Sequence, residues 1–138
     1  METAESIVVG TDGFEPAERA VDRAGAFARA FGATVHVVSA YSDDTTELVG
    51  AGRQADRAHA QQHLDRAQER LAQQGVESEA HISSHEAGRA LVAIADEQHA
   101  QMIVVGNRDM SGVKRVLGSV PNYVSHHAHC DVVIVHTT

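Results

Sequence analysis

The sequence predicts a doubly wound α/β domain, a parallel sheet with helices on both faces. Two observations carry this. Apolar β-branched runs alternate with amphipathic segments in the order β-α-β-α-β-α-β-α-β, and the first, fourth and fifth runs are continuously apolar, as in strands buried on both faces. A length of 138 residues suits one domain spanning 1–138.

The first strand is Ile7-Val8-Val9-Gly10, stopped by the turn cluster Thr11-Asp12-Gly13. Pro16 suits the first turn of the helix that follows. Its apolar face is Ala17, Ala20, Val21, Ala24, Phe27, Ala28 and Phe31, and Gly32 ends it. Thr34 to Ala40 is the second strand, and 42–52 is a polar, turn-rich loop. Residues 53–74 contain no breaker and place Leu64, Ala67 and Leu71 on one helical face, with Gly75 closing the helix. Val76, Ser78, Ala80 and Ile82 alternate with Glu77, Glu79 and His81, the period of a peripheral strand with one wet face. Ser83 and Glu86 have capping-box spacing ahead of a helix whose core face is Ala90, Leu91, Ile94 and Ala95. Met102 to Gly106 is the fourth strand, 120–127 a short helix, and Val132 to Val135 the fifth strand.

Composition narrows the partners. Eleven Lys and Arg against 19 Asp and Glu give a net charge of −8, so an overall basic footprint for nucleic acid or anionic membrane is absent. No apolar run approaches the roughly 20 residues that span a bilayer. A single cysteine and a start without basic and apolar signal regions make the cytoplasm the expected compartment.

In doubly wound sheets, ligands bind beyond the carboxyl ends of the strands where the winding reverses. Two strand-end loops there carry glycine beside polar residues: Gly10-Thr11-Asp12-Gly13, and the stretch from Gly106-Asn107-Arg108-Asp109 to Gly118-Ser119 at the start of the last helix. Glycines let backbone N–H groups approach a phosphate, and a helix N-terminus adds partial positive charge. Arg108, Lys114 and Arg115 form a basic island in this acidic chain, and Lys114 is its only lysine. There is no Walker A sequence, and no dinucleotide fingerprint follows the first strand.

These residues resemble the universal stress protein family. Its signature is Gly-x2-Gly-x9-Gly-Ser/Thr after the fourth strand; here Gly106-Asn107-Arg108-Asp109 is followed by eight residues and then Gly118-Ser119. Val8 to Gly13, Val104 to Asn107 and Leu117 to Ala128 also look like the family. The resemblance implies a Rossmann-like, adenine nucleotide alpha hydrolase-like fold with strand order 3-2-1-4-5. It implies a homodimer built on Val132, Val133, Ile134 and Val135, and a regulator that binds ATP, AMP or cyclic AMP rather than a turnover enzyme. A ligand-free member acting through protein contacts alone is the alternative.

Carried over by position, the resemblance places Asp12 and Ala40 near adenine and ribose, with Gly10 and Thr11 on the same wall. Val105, Gly106, Asn107 and Arg108 form the opposite wall, and Gly118, Ser119 and Val120 hold phosphates. Asp109 stands where the family has its second glycine, the spacer is one residue short, and Phe14 replaces a small hydroxylated residue. A carboxylate about 4 Å from a phosphate costs on the order of 4 kcal/mol per charge pair at an effective dielectric of 20. Neutralisation by Arg108, Lys114 and Arg115, an outward turn of the side chain, and a part in holding Mg²⁺ beside the phosphates all stay open for Asp109, and the expectation is weakened nucleotide binding in which ATP is penalised more than AMP or cyclic AMP.

The chain has ten histidines. His59 and His63 lie four apart on one helix, and His126, His127, His129 and Cys130 cluster before the last strand; neither group makes a complete ligand set, so both read as helix surface, with no metal expected. Cys130 reads as a half-buried structural thiol. No Gly-x-Ser-x-Gly elbow supports a hydrolase. A phosphoacceptor receiver would need an aspartate where the third strand ends in Ile82-Ser83-Ser84, and a lysine after residue 115, where there is none.

Overall fold

The computed structural model describes residues 5–13, 15–42, 56–107 and 119–137. Its elements are β1 (Glu5–Gly10), α1 (Glu15–Phe31), β2 (Ala33–Ala40), α2 (Arg57–Gln73), β3 (Ser78–Ser83), α3 (Ala87–Glu97), β4 (Met102–Gly106), α4 (Ser119–His127) and β5 (Asp131–Val135). The five strands form one sheet in the order β3-β2-β1-β4-β5, every pairing parallel.

Alternation along the strands divides the core into two layers, because successive side chains point to opposite faces of a sheet. Ile7, Val9, Val35, Val37 and Val104 pack beneath α1 and α2 with Val21, Leu64 and Leu71. Val8, Val38, Ile103 and Val105 pack on the other face with Leu91, Ala95 and Val124 of α3 and α4. Arg70 of α2 reaches Asp22 of α1 through both nitrogens of a fork, Nε at 3.1 Å and Nη2 at 2.5 Å, but the pair is partly exposed and adds little beyond orienting the helices.

Several local expectations are corrected. Ser83 and Glu86 form no capping box: Ser83 Oγ accepts from the His85 N–H at 3.1 Å, and Glu86, the N-cap of α3, makes no side-chain cap bond. Phe31 is 53% exposed rather than in the core, because it is the last residue of α1 and stacks on Phe27 beyond the edge of the packed layer. Ala80 is exposed, since β3 is an edge strand only partly covered. β5, expected to be covered on both faces, is only partly buried and leaves Ile134 38% exposed, because it too is an edge strand. The second helix starts at Arg57, where the Asp56 carboxylate accepts the His59 N–H at 2.9 Å; residues 53–55 lie outside the described range.

Candidate functional site

The winding reverses between β1 and β4, and the carboxyl ends of these strands open into a cleft of about 130 Å³. Four separate segments supply the residues expected from sequence. Gly10, Thr11 and Asp12 come from the end of β1, Ala40 from the end of β2, Val105 and Gly106 from the end of β4, and Val120 from α4. Pro16, Ala17 and Ala20 of α1, Val38 of β2, Ala87 and Leu91 of α3, and Pro121 of α4 complete the lining. These are small or aliphatic groups. Sequence reasoning gave Ala17, Ala20 and Leu91 to helix core faces, Pro16 to a helix start and Val38 to a strand interior, and assigned no site role to Ala87 or Pro121; a strand-end position or a helix first turn facing the reversal point was the signal available.

The rim is held by local hydrogen bonds. The Thr11 N–H donates to the Val38 carbonyl at 2.9 Å, so the chain leaving β1 stays attached to β2, and Asp12 is exposed just beyond. Gly13 follows at φ +83°, where a side chain would be strained and a Cβ would collide with the His63 ring of α2. At Gly10 a Cβ would sit 3.4 Å from Leu91, in ordinary contact but narrowing the cleft floor.

Asn107 and Ser119 are not among the cleft-lining residues. Asn107 Oδ1 accepts from the backbone N–H and the hydroxyl of Thr137, at 3.0 and 2.9 Å, so its side chain is engaged by the C-terminal segment. Ser119 is the exposed first residue of α4. Phe14, Arg108, Asp109, Lys114, Arg115 and Gly118 lie outside the described residues.

The histidines divide differently from the expectation. His126 and His127 place Nδ1 at 2.8 and 2.9 Å from the Asn122 and Tyr123 carbonyls of their own helix, and His129 pairs with Asp96 at 3.1 Å. Cys130 is half-buried, and its thiol is pushed up by burial, then by Asp131 and Asp96, which disfavours the nucleophilic thiolate. His59 bonds Asp56, as a surface residue would. His63 does not fit a solvated face: it is half-buried, and among the described residues its Nδ1 is the buried side-chain polar atom left without a partner. His36 and His81, which carried no functional expectation, meet at 2.9 Å between Nδ1 and Nε2.

Comparison with known proteins agrees with this architecture. The profile of the universal stress protein family matches residues 3–136. Universal stress protein Rv1636 of Mycobacterium tuberculosis is 37% identical over 147 aligned positions, covering 100% of both chains. A universal stress protein solved in complex with cAMP is 35% identical and superposes with a TM-score of 0.81, covering 99% of this chain and 100% of that one. Another, from Archaeoglobus fulgidus in complex with dAMP, is 27% identical with a TM-score of 0.75, covering 97% and 98%. With the parallel sheet, the strand order and the glycine-bearing strand ends all in agreement, this chain belongs to the universal stress protein family.

Proposed function

We propose that the protein is an adenine-nucleotide-binding regulator of a stress response, with its ligand in the cleft between the ends of β1 and β4. The observation that carries this reading is the convergence of Gly10, Thr11, Asp12, Ala40, Val105, Gly106 and Val120 on one cleft from four segments of the chain. Aliphatic walls from Ala17, Val38 and Leu91 suit the faces of a flat purine, and the Asp12 carboxylate supplies an acceptor for ribose hydroxyls or the adenine amino group. The relatives solved with cAMP and dAMP support the ligand class. Phosphates would extend toward Ser119, at the N-terminus of α4, where backbone N–H groups carry partial positive charge. Binding would bias the surface that a protein partner meets, the chain acting in the cytoplasm as a homodimer through β5.

Calorimetric titration of ATP, AMP and cyclic AMP, with and without Mg²⁺, tests the reading. Wild type is expected to bind at least one of them. Ala40→Trp, which fills the cleft, is expected to weaken that binding at least about tenfold, or ~1.4 kcal/mol. Asp109→Gly is expected to improve ATP more than AMP. Absence of heat with all three nucleotides, or unchanged affinity in Ala40→Trp, would sink the proposal and favour a member acting through protein contacts alone.

A further inference from the structure

We propose that His36, Glu79 and His81 form a binding site for a divalent transition-metal ion of the zinc class, held across the β2–β3 edge of the sheet. The placement follows from register. His36 pairs with Glu79 across the parallel strands, and His81 lies two residues further along β3, on the same face as Glu79. One ligand atom from each of the three lies within 4.8 Å of the others, a closeness that two histidines 45 positions apart in the chain would not have without the sheet.

The donor set suits the ion. Two imidazoles and one carboxylate with a fourth position left to solvent is a familiar zinc arrangement, and imidazole also accepts cobalt, nickel and copper. Zn–N bonds of about 2.0–2.1 Å at a tetrahedral angle place two nitrogens roughly 3.3 Å apart. The 2.9 Å between His36 Nδ1 and His81 Nε2 is a hydrogen-bond distance, so to admit the ion the nitrogens separate by about 0.4 Å and the rings turn until both lone pairs aim at the ion and no longer at each other. In the metal-free pair one ring lends its N–H to the lone pair of the other; on metal binding that proton moves to the second nitrogen of the donor ring, and both facing lone pairs go to the ion. His36 is buried at 2% exposure, whereas Glu79 is exposed and His81 half-exposed, which leaves an entry path from the sheet edge. Burial first, and His81 with it, hold the His36 imidazole below the usual histidine value, against the opposing pull of Glu79, so at neutral pH its ring is a neutral ligand.

The test uses the full chain without a histidine tag, freed of metal by chelator and titrated with Co²⁺ and Zn²⁺. One equivalent of Co²⁺ is expected to give the visible absorption of four-coordinate cobalt. Zn²⁺ at about a hundredfold above its dissociation constant is expected to raise the thermal midpoint by roughly 5–10 °C. His81→Ala and His81→Gln should each abolish the four-coordinate spectrum and weaken binding by roughly two orders of magnitude, while circular dichroism stays native. Glu79→Gln should weaken it less, and combined His126→Gln, His127→Gln and His129→Gln should leave it intact. Binding that survives His81→Gln, a purely six-coordinate spectrum, or loss of the signal in the 126–129 variant would overturn the proposal.

Discussion

Asn107 Oδ1 takes two hydrogen bonds from Thr137, one from its backbone N–H at 3.0 Å and one from its hydroxyl at 2.9 Å. The Asn107 N–H meanwhile donates to Val135, and Arg19 of α1 donates to the Thr137 carbonyl at 3.2 Å. Thr137 is 5% exposed, and its methyl would lie 3.1 Å from a Cβ added at Gly106. The loop leaving β4 and the segment leaving β5 are therefore clamped together behind the cleft wall.

Removing the clamp leaves two buried donors without their acceptor. Asn107→Ala is expected to destabilise the fold by about 1–3 kcal/mol, whereas Asn107→Asp keeps an acceptor oxygen at the same place and should lose less. Chemical denaturation of both variants checks this. Equal losses would mean that the acceptor is not what matters.

Gly88 allows α3 and α4 to touch. A Cβ there would meet Tyr123 Cδ1 at 2.9 Å and its Cβ and Cγ at 3.1 Å, and these atoms near the α4 backbone cannot swing aside. Helix propensity favours alanine over glycine by about 1 kcal/mol, but overpacking costs about 1–3 kcal/mol, so the clash wins. Gly88→Ala is expected to lower the thermal midpoint, and a rise would show that the helices separate freely.

Burial holds both His36 and His63 below the ordinary histidine value of 6.5; for His63 Asp12 opposes the shift, while Arg66 and His59 add to it. A histidine depressed in the folded state binds its proton more readily when unfolded, so its stability contribution is present above about pH 6.5 and is lost as pH falls through the folded value. The thermal midpoint should be flat between pH 7.5 and 8.5 and decline from about pH 6.5 downward. His63→Leu should flatten part of that decline, and at pH 8 should cost little or stabilise, because it removes a buried nitrogen without a partner. An unchanged pH slope would place the sensitivity elsewhere.

β5 lies at the edge of the sheet and leaves Ile134 38% exposed, with Val132 and Val133 half-buried beside it. An apolar edge strand is a ready template for a second copy. Light scattering is expected to report a dimer for wild type and a monomer for Val133→Asp or Ile134→Asp. A variant that keeps the wild-type mass would remove β5 from the interface.

Periodicity was enough to read the order of strands and helices, because each element advertises its own burial: Ile7 to Val9 and Ile103 to Val105 are apolar throughout, and the α1 stripe repeats at helical spacing. The cleft residues at strand ends were legible for the same reason, since Gly10 and Gly106 stand where apolar runs stop. Helix ends were less so. Ser83 had the right spacing for a cap, but its hydroxyl found the nearer His85 N–H, a choice made by the turn out of β3.

What the sequence determined by itself is local: which segments are strands, which are helices, and which loops lie at the carboxyl ends. Only the tertiary structure decided which distant side chains meet. The β2–β3 register brings His36 against His81, α2 packs His63 under Gly13, and the β4–β5 pairing ends with Asn107 holding Thr137. The physical reason is that a hydrophobic pattern reports how deeply a residue is buried, whereas register and helix placement, set by packing across the whole sheet, decide against what it is buried.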